Sequence, residues 1–193
     1  MRNIVLASKS PRRIELLKRE GLEFDITPAN INEDKFYEDD SAPEYNAMKI
    51  AVEKAKTVSQ KYQESFIIAA DTMVVIGGKI LGKPVNRDEA RYMIQLLSGK
   101  VHHVITGFCI LYSKTNEYVT SFSKTAVTFK PLSLKEIDEY LDKIEFLDKA
   151  GAYAIQDYGD TIIKKIEGNH DNVMGLPVKH VIEILNNFKP GVD

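Results

Sequence analysis

The sequence predicts an α/β protein, a mixed sheet with helices on its faces arranged as two lobes around a cleft. Strand-like and helical patterns alternate along the first half of the chain. Two long strand-like runs, Val101–Tyr112 and Tyr118–Phe129, form a hairpin in the middle. No internal repeat, low-complexity tract or evident linker interrupts the 193 residues, so residues 1–193 read as a single domain. A hydrophobic content of 44% and a charged content of 28% are those of an ordinary globular chain able to bury a substantial core.

Residues 3–7 form a short apolar run that reads as a buried strand. A helix follows, with Ser10 at the N-cap, Pro11 as first helical residue and Gly21 as its end. Residues 22–26 alternate like a strand, and residues 30–40, with Glu33, Asp34, Glu38, Asp39 and Asp40, read as a mobile acidic loop. Ser41-Ala42-Pro43-Glu44 is the pattern of a capping box, opening a helix to about Tyr62 with Ala47, Ile50, Ala51, Ala55 and Val58 inward. Residues 65–70 form a buried strand that runs into Asp71-Thr72, and apolar residues resume at Met73. Gly77-Gly78 marks a turn before a loop carrying Lys83. Asn86 caps a helix that ends at Ser98-Gly99. After the hairpin, Ser133 and Glu136 cap a helix to about Ile144. Residues 152–156 and 161–166 read as strands, residues 168–175 as a loop, and Pro177 opens a last helix to about Phe188.

Four residues at three places break local rules. Arg12 and Arg13 lie in the first turn of a helix, where the macrodipole makes each basic residue cost about 0.3–1 kcal/mol. Either the pair is solvated, or an anion is held there by free backbone N–H groups, the hydroxyls of Ser8 and Ser10 and the guanidinium forks. The order strand, Ser-x-Ser, Pro, Arg-Arg favours the anion. Lys54 falls in the middle of an apolar helical stripe, so it must snorkel, pair or meet a buried anion. Asp71 is a carboxylate flanked by core-type residues and needs a partner.

Composition excludes several classes. A net charge of −2 argues against a broad nucleic-acid surface, so a polyanionic partner has to be small and met by local charges. The single cysteine, Cys109, lies in an apolar run and reads as a buried thiol suited to a reducing compartment. The N-terminal apolar run is too short for a signal peptide, and no apolar stretch approaches the roughly 20 residues of a membrane span. A cytoplasmic protein without membrane partners is the expectation. Neither a Walker A loop nor a Gly-x-Gly-x-x-Gly turn is present, which leaves P-loop ATPases and Rossmann dehydrogenases without support.

What remains is one set of residues: Ser8, Ser10, Arg12, Arg13, Glu33, Lys54, Asp71, Thr72, Lys83 and Gln156. Several cations and two carboxylates suit a metal-assisted reaction on a polyphosphate. The motifs that carry them are Leu6-Ala7-Ser8-Lys9-Ser10-Pro11-Arg12-Arg13, Ala70-Asp71-Thr72, Ile80-Leu81-Gly82-Lys83-Pro84 and Leu97-Ser98-Gly99-Lys100. His102, Thr106-Gly107, the run from Asp148 to Gln156, Asn172-Val173 and Gly175-Leu176-Pro177 continue the series. Taken in order, and over almost the whole chain, these motifs resemble the Maf family of nucleoside triphosphate pyrophosphatases, some of whose members are labelled septum-formation inhibitors.

The resemblance implies a fold similar to that of the inosine-triphosphate pyrophosphatases, with the active site in a cleft. It also implies hydrolysis of a nucleoside triphosphate to the monophosphate and pyrophosphate, with a divalent cation, Mg²⁺ or Mn²⁺, at Asp71 and Glu33. In the family pattern Asp71 is the general base, and Ser8, Arg13, Glu33, Lys54 and Lys83 surround the phosphates and metal; Ser10 stands beside them as a substrate-binding candidate from the anion-site reading. Arg12, Thr72 and Gln156 match the branch that cleaves dTTP and UTP, and a homodimer is a further implication. A primary amide at Gln156 offers the donor and acceptor that the O4/N3–H edge of thymine or uracil requires. Two alternatives stand beside this reading. One is a pyrophosphatase for 7-methyl-GTP or non-standard nucleotides, against which Arg12 and Gln156 stand, since the 7-methyl-GTP branch carries Glu at the position of Gln156. The other is a nucleotide-binding regulator of division without turnover, against which Asp71, Lys54, Lys83 and Glu33 stand intact.

Overall fold

The computed structural model describes residues 2–36, 38 and 41–191, Asp34 by its backbone. The described strands are β1 (Ile4–Leu6), β2 (Asp25–Ile26), β3 (Phe66–Ile76), β4 (Lys79–Leu81), β5 (Val101–Tyr112), β6 (Tyr118–Phe129) and β7 (Ile163–Glu167). They form one mixed sheet of seven strands in the order β2-β1-β3-β5-β6-β7, with β4 paired to β3. The helices are α1 (Pro11–Arg19), α2 (Pro43–Ser59), α3 (Arg87–Leu97), α4 (Leu134–Leu141), α5 (Gly159–Ile162), α6 (His170–Val173) and α7 (Val178–Asn187). The chain groups into two compact units. One holds Met1–Asp71, Thr106–Ser123 and Gly175–Asp193, the other Thr72–Ile105 and Lys124–Met174, and the divisions fall inside β3, β5 and β6.

In the first unit β1 pairs in parallel with β2, Val5 opposite Asp25, and with β3, Val5 opposite Ile67. Parallel neighbours need crossovers, and α1 and α2 supply them. The stripe read from the sequence is buried: Ala51, Ala55 and Val58 of α2 pack with Val5, Ile67, Ala69, Cys109 and Leu111. A helix of 17 residues is marginal alone in water, so this burial, about 1.5–3 kcal/mol for each fully buried Val or Ile, is what holds α2. At Gly107 the approach is so close that a Cβ would stand 2.3 Å from the Met48 nitrogen of α2. Burial pushes the Cys109 thiol up to about 12, so it stays protonated and inert.

In the second unit β3 turns through Gly77 and Gly78, both with left-handed φ (54° and 81°), into β4. That is the backbone a two-residue hairpin requires and the reason for two glycines. Asn86 caps α3 by accepting from the Glu89 amide, and Ser133 with Glu136 forms a full capping box on α4. Val74, Ala90, Ile94, Leu97, Phe129, Ile137 and Tyr140 belong to the core of this unit. His102 is buried within it, 2.8 Å from the Tyr153 hydroxyl and edge-on to the rings of Phe129 and Tyr153. Burial, and secondarily His103, pushes its pKa down to about 4.

That shift has a measurable consequence. An unfolded histidine binds a proton below about 6.5 while folded His102 does not until about 4. Stability is therefore fully present above pH 6.5 and is lost as the pH falls towards 4, by about 3 kcal/mol in all. In urea titrations across that window the wild-type midpoint should fall more steeply than that of His102→Gln. Parallel curves would show that His102 is not held neutral.

Several elements depart from the sequence reading, each for a local reason. Pro43 takes the first helical position of α2, which puts Ala42 at the N-cap, and no side chain caps there; Ser41 donates instead to the Glu38 carboxylate at 2.8 Å. The helix stops at Ser59 rather than near Tyr62. Residues 22–26 yield only the two paired residues of β2. The acidic segment holds a 3₁₀ turn, Glu33–Phe36, while Asp39 and Asp40 lie outside the described residues. Lys79–Leu81 is strand rather than loop, held by its pairing with β3. Residues 152–156 are not a strand: Gly151 (φ 68°) and Ala152 (φ 60°) adopt left-handed backbone, which breaks the extended run and leaves a 3₁₀ turn, Ala150–Ala152. Residues 168–175 contain the short helix α6, capped by Asn169.

Candidate active site

The start of α1 resolves the misplaced arginines. Ser10 occupies the N-cap and Pro11 the first turn, yet the Ser10 side chain makes no cap hydrogen bond. Ser8 does the bridging: its Oγ accepts from the Ser10 amide at 3.2 Å and from Arg13 Nη1 at 3.3 Å. Arg13 Nε also donates to the Gly175 carbonyl at 2.8 Å. The guanidinium is thus held in a fixed orientation rather than solvated. Burial pulls the Arg13 pKa below its ordinary value; Asp71 and Glu33 oppose that shift, and Arg12 adds to it. An arginine keeps its charge regardless, so a half-buried cation lies within electrostatic reach of both carboxylates.

Lys54 and Asp71 explain each other. The Lys54 ammonium donates to Asp71 Oδ1 at 2.7 Å and meets Glu33 Oε1 at 2.8 Å, with the Ala70 carbonyl at 3.4 Å. The side chains of Lys54 and Asp71 are 9% and 11% exposed, that of Glu33 40%. A lysine on the buried stripe of α2 and a carboxylate in the middle of β3 thus neutralise each other in place, and the surplus negative charge sits towards the more exposed Glu33.

Two carboxylates on one ammonium also suit a hard divalent cation. Mg²⁺ favours oxygen ligands, retains several waters, and binds through one or two carboxylates plus substrate phosphates. Glu33 and Asp71 supply two carboxylates, both meeting Lys54 Nζ. Among the described residues no group of three or more His, Cys, Asp or Glu side chains gathers into a metal cage.

Of the residues named from the sequence, the first unit brings together Ser8, Ser10, Arg13, Glu33, Lys54 and Asp71, with Arg12 half-buried in the same helical turn. Thr72, half-buried beside Asp71, opens the second unit, which also carries Lys83 and Gln156. Lys83 is exposed; the carbonyl of Gly82 before it accepts from the Gly151 amide at 2.9 Å. Gln156 is exposed, close along the chain to Tyr153 and Ala154, which His102 and the Tyr140 hydroxyl hold.

A family model described as Maf-like protein matches residues 3–188. The chain belongs to the Maf family. Among its relatives, a dTTP/UTP pyrophosphatase of Caldicellulosiruptor saccharolyticus is 48% identical over 182 residues, covering 92% of this chain and 90% of its own. One of the same name from Pyrococcus furiosus is 45% identical over 187 residues, covering 96% and 95%. In three dimensions this Maf protein is similar to a HAM1 protein from Coxiella burnetii, with a TM-score of 0.57 at 14% identity over 97% of this chain and 100% of the other. That likeness supports the inosine-triphosphate-pyrophosphatase-like fold implied by the sequence motifs.

Two contacts were not foreseen from the sequence, one by Gly175 of a motif already named and one by Asn46. Gly175 contributes its carbonyl, a role no side chain announces. Asn46 is fully buried on α2. It had a signal, a polar residue four positions before Ile50 and eight before Lys54 on the same i, i+4 ridge.

Proposed function

We propose that this Maf protein hydrolyses dTTP and UTP to the monophosphate and pyrophosphate, by attack of water on the α-phosphorus. The observation that carries the reading is Lys54, held between Asp71 and Glu33 in reach of Arg13. The names of relatives similar over most of the chain point to the same pyrimidine nucleotides.

In this reading Asp71 accepts the proton of the attacking water, the new P–O bond forms, and the bond from the α-phosphorus to the bridging oxygen breaks with its electron pair leaving on pyrophosphate. Arg13, Lys54 and Lys83 neutralise phosphate oxygens, and the Ser8 and Ser10 hydroxyls orient them. Glu33 and Asp71 would hold Mg²⁺ or Mn²⁺, which when bound would supply further charge neutralisation. Arg12, Thr72 and Gln156 select the base, with the Gln156 amide facing the O4/N3–H edge. The partners are nucleoside triphosphates rather than nucleic acid or membrane, the setting is the cytoplasm, and a homodimer remains part of the proposal. No described helix is long and apolar enough to cross a membrane.

A pyrophosphate-release assay with UTP, dTTP, CTP, 7-methyl-GTP and ITP in Mg²⁺ tests it. Turnover of UTP and dTTP with pyrophosphate as product is the expected result. Orthophosphate with a diphosphate would overturn the cleavage position, a preference for 7-methyl-GTP or ITP the base reading, and no turnover at all the enzymatic one.

Lys54→Met gives a second test. From sequence alone folding should be spared, because the unbranched stem is kept. The ion pair alters that expectation: the change strands the buried Asp71 carboxylate, at the lower end of the about 3–5 kcal/mol typical of a broken buried pair. Melting temperature should fall in Lys54→Met and recover in part when Asp71→Asn is added. An unchanged melting temperature in the single variant would show that the pair is solvated. The kcat/KM should fall about tenfold for each 1.4 kcal/mol of transition-state stabilisation lost.

A further inference from the structure

We propose that Asn46 is a positioning residue for Glu33, clamping the segment that carries Glu33 onto α2. The proposal rests on the reading of Glu33 as part of the catalytic centre. Asn46 is fully buried, and its amide pairs with both backbone groups of Glu38: Oδ1 accepts from the Glu38 N–H at 3.0 Å, and Nδ2 donates to the Glu38 carbonyl at 2.8 Å. Of the small side chains only an amide carries a donor and an acceptor side by side. The Glu38 carboxylate strengthens the attachment, accepting from Ser41 Oγ at 2.8 Å and from Lys49 Nζ.

Five residues earlier, the same segment is attached again, where Glu33 meets Lys54. Asn46 and Lys54 stand on one ridge of α2, eight residues and so about 12 Å apart along its axis. The 3₁₀ turn Glu33–Phe36, with a rise of roughly 2 Å per residue, packs on α2. Of Glu33, Lys54 and Asp71, Glu33 is the most exposed, at 40%, so burial fixes it least and the clamp adds to the hold that Lys54 gives.

Three measurements separate positioning from mere stability. First, in metal-free and nucleotide-free protein, amide exchange at Glu38 should accelerate about tenfold or more in Asn46→Ala, while Ala51 in the core of α2 keeps its protection. Second, the Mg²⁺ concentration for half-maximal UTP hydrolysis should rise about tenfold, as for loss of groups that orient a metal ligand, while KM for UTP at saturating Mg²⁺ changes less than about twofold. Third, adding Asn46→Ala to Glu33→Gln should cost no more than about twofold beyond Glu33→Gln alone. If Asn46→Ala fails to fold, Asn46→Ser, which keeps a hydroxyl, carries the same three readings. Unchanged Glu38 exchange, an unchanged Mg²⁺ requirement, or full additivity with Glu33→Gln would overturn the proposal. A wild-type Mg²⁺ requirement in Glu33→Gln itself would instead remove Glu33 from the centre, and the proposal with it.

Discussion

Asp71→Asn should lower kcat for UTP and dTTP by about 10²–10⁴-fold, the range for loss of a positioned base, while the melting temperature stays within about 5 °C of the parent. The substitution keeps the shape of the side chain, and the amide oxygen still accepts the hydrogen bond that Lys54 Nζ gives Oδ1 at 2.7 Å. Glu33 remains 2.8 Å from Nζ, so the ammonium keeps a counter-charge and the core around β3 is not asked to bury an isolated cation. What disappears is the ability to take a proton, along with one of the two charged oxygen donors suited to a divalent ion. Turnover at the parental rate in a variant with unchanged melting behaviour would reduce Asp71 to a counter-ion for Lys54. A collapse of the fold together with activity would make it a structural residue. The measurement is steady-state pyrophosphate release at saturating UTP, with thermal melts on the same preparations.

The parts of this molecule that were legible in the sequence are those where one residue contradicts its neighbours. Asp71 inside an apolar strand demanded a partner, and Lys54 on an apolar stripe had to snorkel, pair or meet a buried anion; the two pair with each other. Arg13 at a helix start was read as solvated or as holding an anion; the hydrogen bonds it gives to Ser8 and Gly175 were not foreseen. Long periodic elements were equally plain: β5 and β6 coincide with the hairpin read from alternation, and Asn86 and Ser133 cap as their patterns require. What stayed hidden depends on backbone conformation or backbone atoms. The left-handed Gly151 and Ala152 turn an apolar run that looks extended into a 3₁₀ turn, and nothing in the alternation of side chains reports a φ of 60° at an alanine. The Ser-Ala-Pro-Glu pattern has the spacing of a capping box, but the proline claims the first helical position and shifts the cap by one residue. Asn46 was missed because its partners are an amide and a carbonyl rather than a second charged side chain.

Gly107→Ala should carry the largest penalty in stability. The glycine does not sit at positive φ; the constraint is space. A Cβ there would stand 2.3 Å from the Met48 nitrogen, 2.4 Å from the Ala47 carbonyl carbon and 2.7 Å from the Ala47 oxygen. All three are backbone atoms of α2, so no change of rotamer relieves the clash, and the helix has to retreat from β5 by roughly 1 Å. Overpacking by a single methyl in a core ordinarily costs about 1–3 kcal/mol, and a contact with immovable backbone belongs at or above the top of that range. For a chain of this length about 3 kcal/mol corresponds to a fall of roughly 6–12 °C in melting temperature. Gly82→Ala is the control, since a Cβ there meets nothing within 4 Å and its φ is ordinary; it should shift stability by no more than about 0.5 kcal/mol. The same retreat displaces Lys54, which α2 carries to Asp71, and a misplacement near 1 Å can cost about 10²-fold in rate. Gly107→Ala should therefore lose activity well below its melting temperature, where the protein is still folded. Melting and turnover both at parental values would show that the contact between α2 and β5 is loose enough to admit a methyl group, and that the placement of Lys54 does not depend on it.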